Sequence, residues 1–311
     1  MSLTSTIPLP SGGALTDIVT RVTEIWPEHA AFLAQRFAEE SPEQLAAAEA
    51  VARRIAVLTA GELDEVIAGY RWACRRLTGE QLFFRRHGRY RFTSVDEVWE
   101  SGLLNDPYMT YYQQGLLLSH ILWTNHARVD EVYQHEFLRR RGGDRERLLE
   151  VGPGHGLLLS LAAEVVTGEV AGWDISESAL RHTRRNLAAL GARETSLVCH
   201  DIRSGPLDGT FDLVVASEVL EHVEDPAGVL TSLLKLMSER GRIFLNVPVN
   251  SPSPDHIYLW RTPEEFFAFT RECGVRPLST YTFPMTGHSE QRAREEKLTI
   301  SCVVIGEAVG A

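Results

Sequence analysis

The stretch LLEVGPGHG, residues 148–156, decides how this 311-residue chain is read. Leu148 to Val151 form a short apolar run of strand length, and LLLSLAAEVV (157–166) follows with helical character. Three glycines, Gly152, Gly154 and Gly156, lie between them. Glycine enters the left-handed backbone region without steric cost, so such a turn brings backbone N–H groups and a helix N-terminus close to a ligand. A dinucleotide-binding turn has the spacing G-x-G-x-x-G. Here the spacing is G-x-G-x-G, and Leu157 stands where the third dinucleotide glycine would be. Glu150 precedes the loop, where it repels a pyrophosphate and suits a cationic ligand group.

Downstream of the loop, strands and helices alternate. EVAGWDI (169–175), TSLVCHDI (195–202), FDLVVAS (211–217) and GRIFLNVPV (241–249) read as strands. ESALRHTRRNLAAL (177–190) and AGVLTSLLKLMSE (227–239) read as helices, and Thr262, Pro263 and Glu265 form a capping box for another helix through Cys273. Two late strands lie around LSTYTF (278–283) and LTISCVVIG (298–306). This alternation predicts parallel pairing, right-handed crossovers and a doubly wound α/β sheet. Upstream, residues 14–140 read as mainly helical, with Ser41 capping a helix that opens on Pro42 and a short strand over Tyr90, Phe92 and Thr93 after Gly88. The expected organisation is a flexible lead-in over 1–13, a helical lid or dimerisation domain over 14–140, and a ligand-binding domain over 141–311.

The formal net charge of −11 argues against nucleic acid as the main partner, because phosphate binding wants a basic face. RRHGRYR (85–91) is a short basic stripe and reads as a solvated face. No run of eighteen apolar residues occurs, and the N-terminus lacks a secretory pattern, so a cytoplasmic protein is expected. Cys74, Cys199, Cys273 and Cys302 are scattered without a C-x-x-C pair, and each is expected to pack as a small apolar side chain.

Glu150-x-Gly152-x-Gly154-x-Gly156 resembles the first motif of class I S-adenosylmethionine-dependent methyltransferases. The resemblance covers residues 146 to about 305. It implies a Rossmann-like seven-stranded sheet of six parallel strands and one antiparallel, with the helical domain as an N-terminal addition. It places Glu150 and the glycine loop near the methionine portion of the cofactor, and Asp174 in GWDIS on both ribose hydroxyls. A carboxylate can accept two hydrogen bonds from a vicinal diol, so that role is physically sensible. Asp201 in VCHDI would face the adenine amine with Ile202 beside the ring, and Ile175 and Ser217 complete the implied cofactor contacts.

SEVLEHVEDP (217–226) follows the fourth strand. On a helical turn, Glu218, Glu221 and His222 would share one face at the sheet edge where open α/β folds bind ligands. His256, in the loop after the fifth strand, reaches the same edge. The E-x-x-E-H pattern with a loop histidine resembles ubiquinone-pathway O-methyltransferases and small-RNA 2′-O-methyltransferases, which implies a divalent metal such as Mg²⁺ on Glu218, Glu221, His222 and His256. Two further readings stay open: His222, with Glu221, acts on the acceptor without a metal, or the stretch is structural.

The helix before the loop offers Tyr111, Tyr112, His120, Asn125 and His126 as candidate contacts, with Tyr111, Tyr112, Asn125 and His256 taken as substrate-binding. Trp123 and the leucines at 116–118 read as core. The expected function is methyl transfer from S-adenosylmethionine to a small-molecule acceptor in specialised, natural-product metabolism, with homodimerisation through the N-terminal domain. The rivals are cyclisation of the cofactor with release of methylthioadenosine, RNA methylation, and a non-catalytic cofactor-binding scaffold.

Overall fold

The computed structural model describes residues 7–103, 106–138 (side chains from 111) and 146–309. The start of the expected lead-in and the expected boundary near residue 140 lie outside the described residues. Among the described residues seven α-helices come first: α1 (Ala14–Ile25), α2 (Ala30–Phe37), α3 (Pro42–Leu58), α4 (Leu63–His87), α5 (Val95–Glu100), α6 (Asp106–Leu122) and α7 (Thr124–Val132). Ser41 begins α3 with a full capping box, its side chain accepting from Gln44 N–H while the Gln44 side chain accepts from Ser41 N–H. Gly115 lets α6 lie directly on α4: a Cβ there would stand 2.9 Å from Ala73 Cβ and 3.0 Å from the Gly69 carbonyl. Leu15, Val22, Leu33, Ile55, Ile67, Leu118 and Ile121 fill the core between these helices.

The second part alternates as β1 (Leu148–Val151), α8 (Leu157–Val165), β2 (Val170–Asp174), α9 (Glu177–Ala189), β3 (Ser196–Cys199), β4 (Phe211–Ser217), α10 (Pro226–Lys235), β5 (Met237–Val249), α11 (Pro263–Glu272), β6 (Val275–Pro284), α12 (Glu290–Glu295) and β7 (Ile300–Ala308). The strand order is β3-β2-β1-β4-β5-β7-β6. β1 pairs in parallel with β2 and β4, and β7 runs antiparallel to both β5 and β6. The sheet therefore has six parallel strands and one antiparallel, as the glycine-loop resemblance implies. All four residues of β1 are buried, because helices cover both faces of the sheet. The chain order reverses at β1 and β4, and the C-terminal ends of these strands open the crevice where such folds take ligands.

Three local expectations fail. Tyr90 to Thr93 form no strand: the Tyr90 hydroxyl accepts from Ser251 N–H at 3.0 Å and its ring packs on Phe84, so side-chain anchoring replaces sheet pairing. At α11, Thr262 caps the helix, but the Glu265 carboxylate reaches one residue further back, to Arg261 N–H, so no reciprocal box forms. Cys199 is exposed at the end of β3, and only Cys302 is fully buried.

Candidate active site

A cavity of about 390 Å³ lies over the C-terminal ends of β1, β2 and β4. Its floor is the glycine loop. Gly152, Gly154 and Gly156 all have positive φ, at 71, 51 and 76°. A Cβ on Gly152 would stand 2.8 Å from Val219 Cγ2, and one on Gly156 would stand 3.0 Å from Thr183 Cγ2, so conformation and space both demand glycine at these two. α9 ties the loop down: Thr183 Oγ1 donates to the Gly154 carbonyl at 2.7 Å and Asn186 Nδ2 to that of His155 at 2.9 Å. Glu150, inside β1, is 3 % exposed, and burial, then the charge of Asp130, pushes its carboxyl up to about 8.

Asp174 ends β2 beside the loop. Its Oδ1 accepts from Ser176 N–H at 2.8 Å, and burial pushes its carboxyl up to about 6. Ile175, Ser217 and Ile202 also line the cavity, and Ile175 is left exposed there. Asp201 lines it too, but Arg203 already pairs with its carboxylate at 2.8 Å and holds it below the usual range.

The opposite end is built by SEVLEHVEDP and the loop after β5. No regular helix follows Ala216. Glu218 has φ 55°, in the left-handed region, and only a single 3-10 turn over Leu220–His222 forms. Asn246 explains the bend: its side-chain amide donates to Ser217 Oγ at 3.0 Å and Glu218 Oε1 at 2.8 Å. Burial pushes the Glu218 carboxyl up to about 7. The structure gathers Glu221, His222 and His256, with one ligand atom of each within 4.8 Å of the others, and leaves Glu218 outside that group. The expected four-residue set is thus three.

The two histidines have defined tautomers. His222 Nδ1 lies 3.0 Å from the Asp255 carbonyl and His256 Nδ1 lies 2.6 Å from the Ser251 carbonyl. A carbonyl only accepts, so each Nδ1 carries a proton, and in the neutral form of either ring the lone pair is on Nε2. Burial, then the charge of His222, pushes His256 down to about 3, so its ring is neutral. Glu221 is wholly buried, and neither of its carboxylate oxygens has a hydrogen-bond partner. Burial, then the Glu218 charge, pushes this carboxyl well above its ordinary value. Asp255 braces the site. Its carboxylate lies 3.7 Å from His222 Nδ1 and accepts from Ser253 Oγ at 2.6 Å and the Tyr112 hydroxyl at 3.2 Å.

α4 to α7 form the roof, through Leu77, Val98, Trp99, Leu116 and Trp123. Leu117 and Leu118 are core as expected, Trp123 packs against that core while also lining the cavity, and Leu116 lines the cavity instead. Tyr112, His120 and His126 line it. Tyr111 does not: it is half exposed and packs on Trp72. Asn125 does not either, because its amide is buried against Ser301 Oγ at 2.9 Å. Asp255, Asn246 and Asp130 were not expected at the site. Asp255 had one signal, an acid beside His256 in SPSPDHIY.

A family model described as a methyltransferase domain matches residues 125–293. The chain belongs to this methyltransferase-domain family. It is 32 % identical over 136 residues to a ubiquinone biosynthesis O-methyltransferase of Thiobacillus denitrificans, covering 42 % of this chain and 58 % of that one. It is 28 % identical over 200 residues to the enzyme of the same name from Pseudomonas aeruginosa, covering 55 % and 86 %. The chain spans about half the length of three such relatives, at 58, 46 and 43 %. The structure of the mitomycin 7-O-methyltransferase MmcR shares the fold, with a TM-score of 0.53 at 14 % identity over 86 % of this chain and 76 % of that one. No described helix of this methyltransferase-domain chain is long and apolar enough to cross a membrane.

Proposed function

We propose that the protein transfers the methyl group of S-adenosylmethionine to a hydroxyl of a small-molecule acceptor. One observation carries the reading. A single cavity holds the glycine loop and Asp174 at one end and His222, with a free Nε2 lone pair, at the other. S-adenosylmethionine supplies an electrophilic methyl carbon on a sulfonium, and its carbon–sulfur bond breaks to a neutral thioether as the new oxygen–carbon bond forms. Asp174 accepts from the ribose diol, the glycine loop allows close approach of the backbone, and Ile175 and Ile202 flank the base. His222 Nε2 takes the acceptor proton while Nδ1 stays on the Asp255 carbonyl, with the Asp255 carboxylate 3.7 Å away. The roof of Leu77, Val98, Trp99 and Leu116 suits an acceptor with an apolar body, of the kind found in specialised metabolism.

A second reading rests on Glu221. Its two carboxylate oxygens have no hydrogen-bond partner, Oε1 lies 3.9 Å from His222 Nε2, and one ligand atom from each of Glu221, His222 and His256 lies within 4.8 Å of the others, a donor set that fits a divalent cation. A bound cation would lower the acceptor hydroxyl's pKa. The two readings compete for the same His222 lone pair, so they exclude each other.

The test is product analysis of purified protein with S-adenosylmethionine and a pool of hydroxylated small molecules, with and without chelator. S-adenosylhomocysteine formed only with acceptor, and unaffected by chelation, supports the first reading. Loss on chelation moves the chemistry to the cation. Methylthioadenosine formed without acceptor overturns methyl transfer in favour of cyclisation of the cofactor.

A further inference from the structure

The cavity is lined by acids with almost no cations to match them. Six carboxyl groups line it, from Asp130, Glu150, Asp174, Asp201, Glu218 and Asp255, against one arginine or lysine among the described residues, Arg203. Arg203 is taken. Its Nη2 lies 2.8 Å and its Nε 3.0 Å from the Asp201 carboxylate, and its Nη1 lies 3.9 Å from Glu224 Oε2. Glu224 itself accepts from the Val95 N–H of α5 at 2.6 Å. The histidines do not supply the missing charge. Burial is the main cause that pushes His126 and His256 down to about 3 and His155 well below its ordinary value, so these rings are neutral. The other three are committed: His120 Nδ1 to Asp130 Oδ2 at 2.7 Å, His200 Nε2 to the Gly205 carbonyl at 2.7 Å, and His222 to the acceptor proton in the proposed reaction.

The carboxyl groups show what the cavity does to a negative charge. Burial pushes Glu150 up to about 8, Glu218 up to about 7 and Asp174 up to about 6. A carboxylate or phosphate brought in by a ligand loses its water in the same way and finds no free cation in return. At the His222 end it also meets Asp255, whose side chain lines the cavity and is 12 % exposed. Asp255 Oδ1 accepts from Ser253 Oγ at 2.6 Å and from the Tyr112 hydroxyl at 3.2 Å, two donors that favour the ionised carboxylate. S-adenosylmethionine is admitted all the same, because its ammonium and sulfonium outweigh its one carboxylate. Trp99, in the roof, lines the cavity and keeps 46 % of its surface exposed, and the face of an indole takes an apolar ring or an ammonium group.

We infer that the acceptor carries no anionic group: the site takes an uncharged or amine-bearing hydroxyl compound and turns away carboxylates and phosphates, and Asp255 sets this preference at the His222 end. The preference is one of charge and not of shape, since a carboxamide fills nearly the same space as a carboxylate. It is also a preference of the whole cavity, so it acts on an anionic group wherever the acceptor carries it.

The inference rests on the proposed methyl transfer with His222 as base, and its test separates the two. Wild-type protein with S-adenosylmethionine and chelator is given matched pairs of hydroxylated compounds, each a carboxylic acid and its carboxamide at equal concentration, and the methylated products are measured by mass. In every pair that reacts, the carboxamide is expected to be methylated at least about 10-fold faster than the acid, the weight of one unpaired like-charge contact in a partly desolvated site. Asp255→Asn is expected to slow both members and to narrow the ratio between them at least about threefold. Acids methylated as fast as their carboxamides by the wild type overturn the inference and leave methyl transfer standing. A ratio unchanged in Asp255→Asn overturns the part given to Asp255. If Asp255→Asn does not fold, Glu218→Gln carries the same comparison with the same expected narrowing. Methylation of no member of any pair by the wild type overturns the reading on which the inference rests.

Discussion

Asp174→Asn is expected to move stability and cofactor binding in opposite directions. Burial raises the Asp174 carboxyl from 3.8 to about 6 in the empty protein. The folded state therefore binds a proton more tightly than the unfolded chain, and ionisation of Asp174 destabilises the fold. Two units at about 1.4 kcal/mol each give about 3 kcal/mol, and solvent screening of a half-buried side chain lowers this to about 1–2 kcal/mol. Asparagine keeps an oxygen to accept from Ser176 N–H, so the local turn survives. At about pH 8 the ligand-free variant should melt roughly 2–4 °C above wild type. The gain should shrink through about pH 5 and vanish below about pH 4, where Asp174 is neutral in both states. Binding moves the other way. A charged acceptor facing the ribose diol becomes a neutral amide with one acceptor oxygen, a loss of about 1.5–3 kcal/mol, or about 10- to 100-fold in S-adenosylhomocysteine affinity. Thermal melts with and without ligand, paired with calorimetry, measure both. A variant less stable than wild type without ligand, or with unchanged affinity, would refute the reasoning.

The other predictions concern the loop and the two carboxyl clusters. Gly152→Ala should cost about 1–3 kcal/mol and abolish S-adenosylhomocysteine binding, since φ is 71° and the new Cβ meets Val219 Cγ2 at 2.8 Å. Gly154→Ala, at φ 51° with nothing within 4 Å, should cost only about 1 kcal/mol; melts and titrations of both variants check the contrast. Glu150 is protonated at about pH 7 in the empty protein, because burial pushes it up to about 8, and an arriving ammonium favours its ionised form. S-adenosylhomocysteine binding should therefore release up to about one proton, seen as a binding enthalpy that varies with the buffer's ionisation enthalpy. If Glu221, His222 and His256 hold a cation, equilibrium dialysis should find Mn²⁺ bound to wild type and not to Glu221→Gln.

What the sequence reveals here is what lies close along the chain. The glycine loop, the acid at the end of β2 and the alternation of strands and helices are local patterns, and each leads to the sheet that forms. The E-x-x-E-H stretch shows where locality stops. Read as a helix, it puts Glu218, Glu221 and His222 on one face. Asn246, 28 residues on, captures Glu218 and turns its backbone left-handed, so the trio that forms takes His256 in its place. Tyr111 and Tyr112 are adjacent and chemically alike, and only one reaches the cavity. Which one does depends on how α6 is rotated against α4, and that is set by the fit of Gly115 against Ala73 and Gly69.

The same argument explains why the helical roof is hardest to read. Its polar residues find partners far away in sequence: His120 meets His155 at a separation of 35, Tyr112 meets Ser253 at 141, and the Val95 N–H meets Glu224 at 129. None of these pairs leaves a spacing pattern, yet each joins the roof to a loop that faces the cavity. The roof is therefore coupled to the glycine loop at one end and to the His222 end at the other. A change in how α5 to α7 sit would move Asp130 and Tyr112 together, since α6 and the adjoining α7 carry them. The glycine-loop end and the His222 end of the cavity would then respond as one, although the sequence presents them as separate motifs.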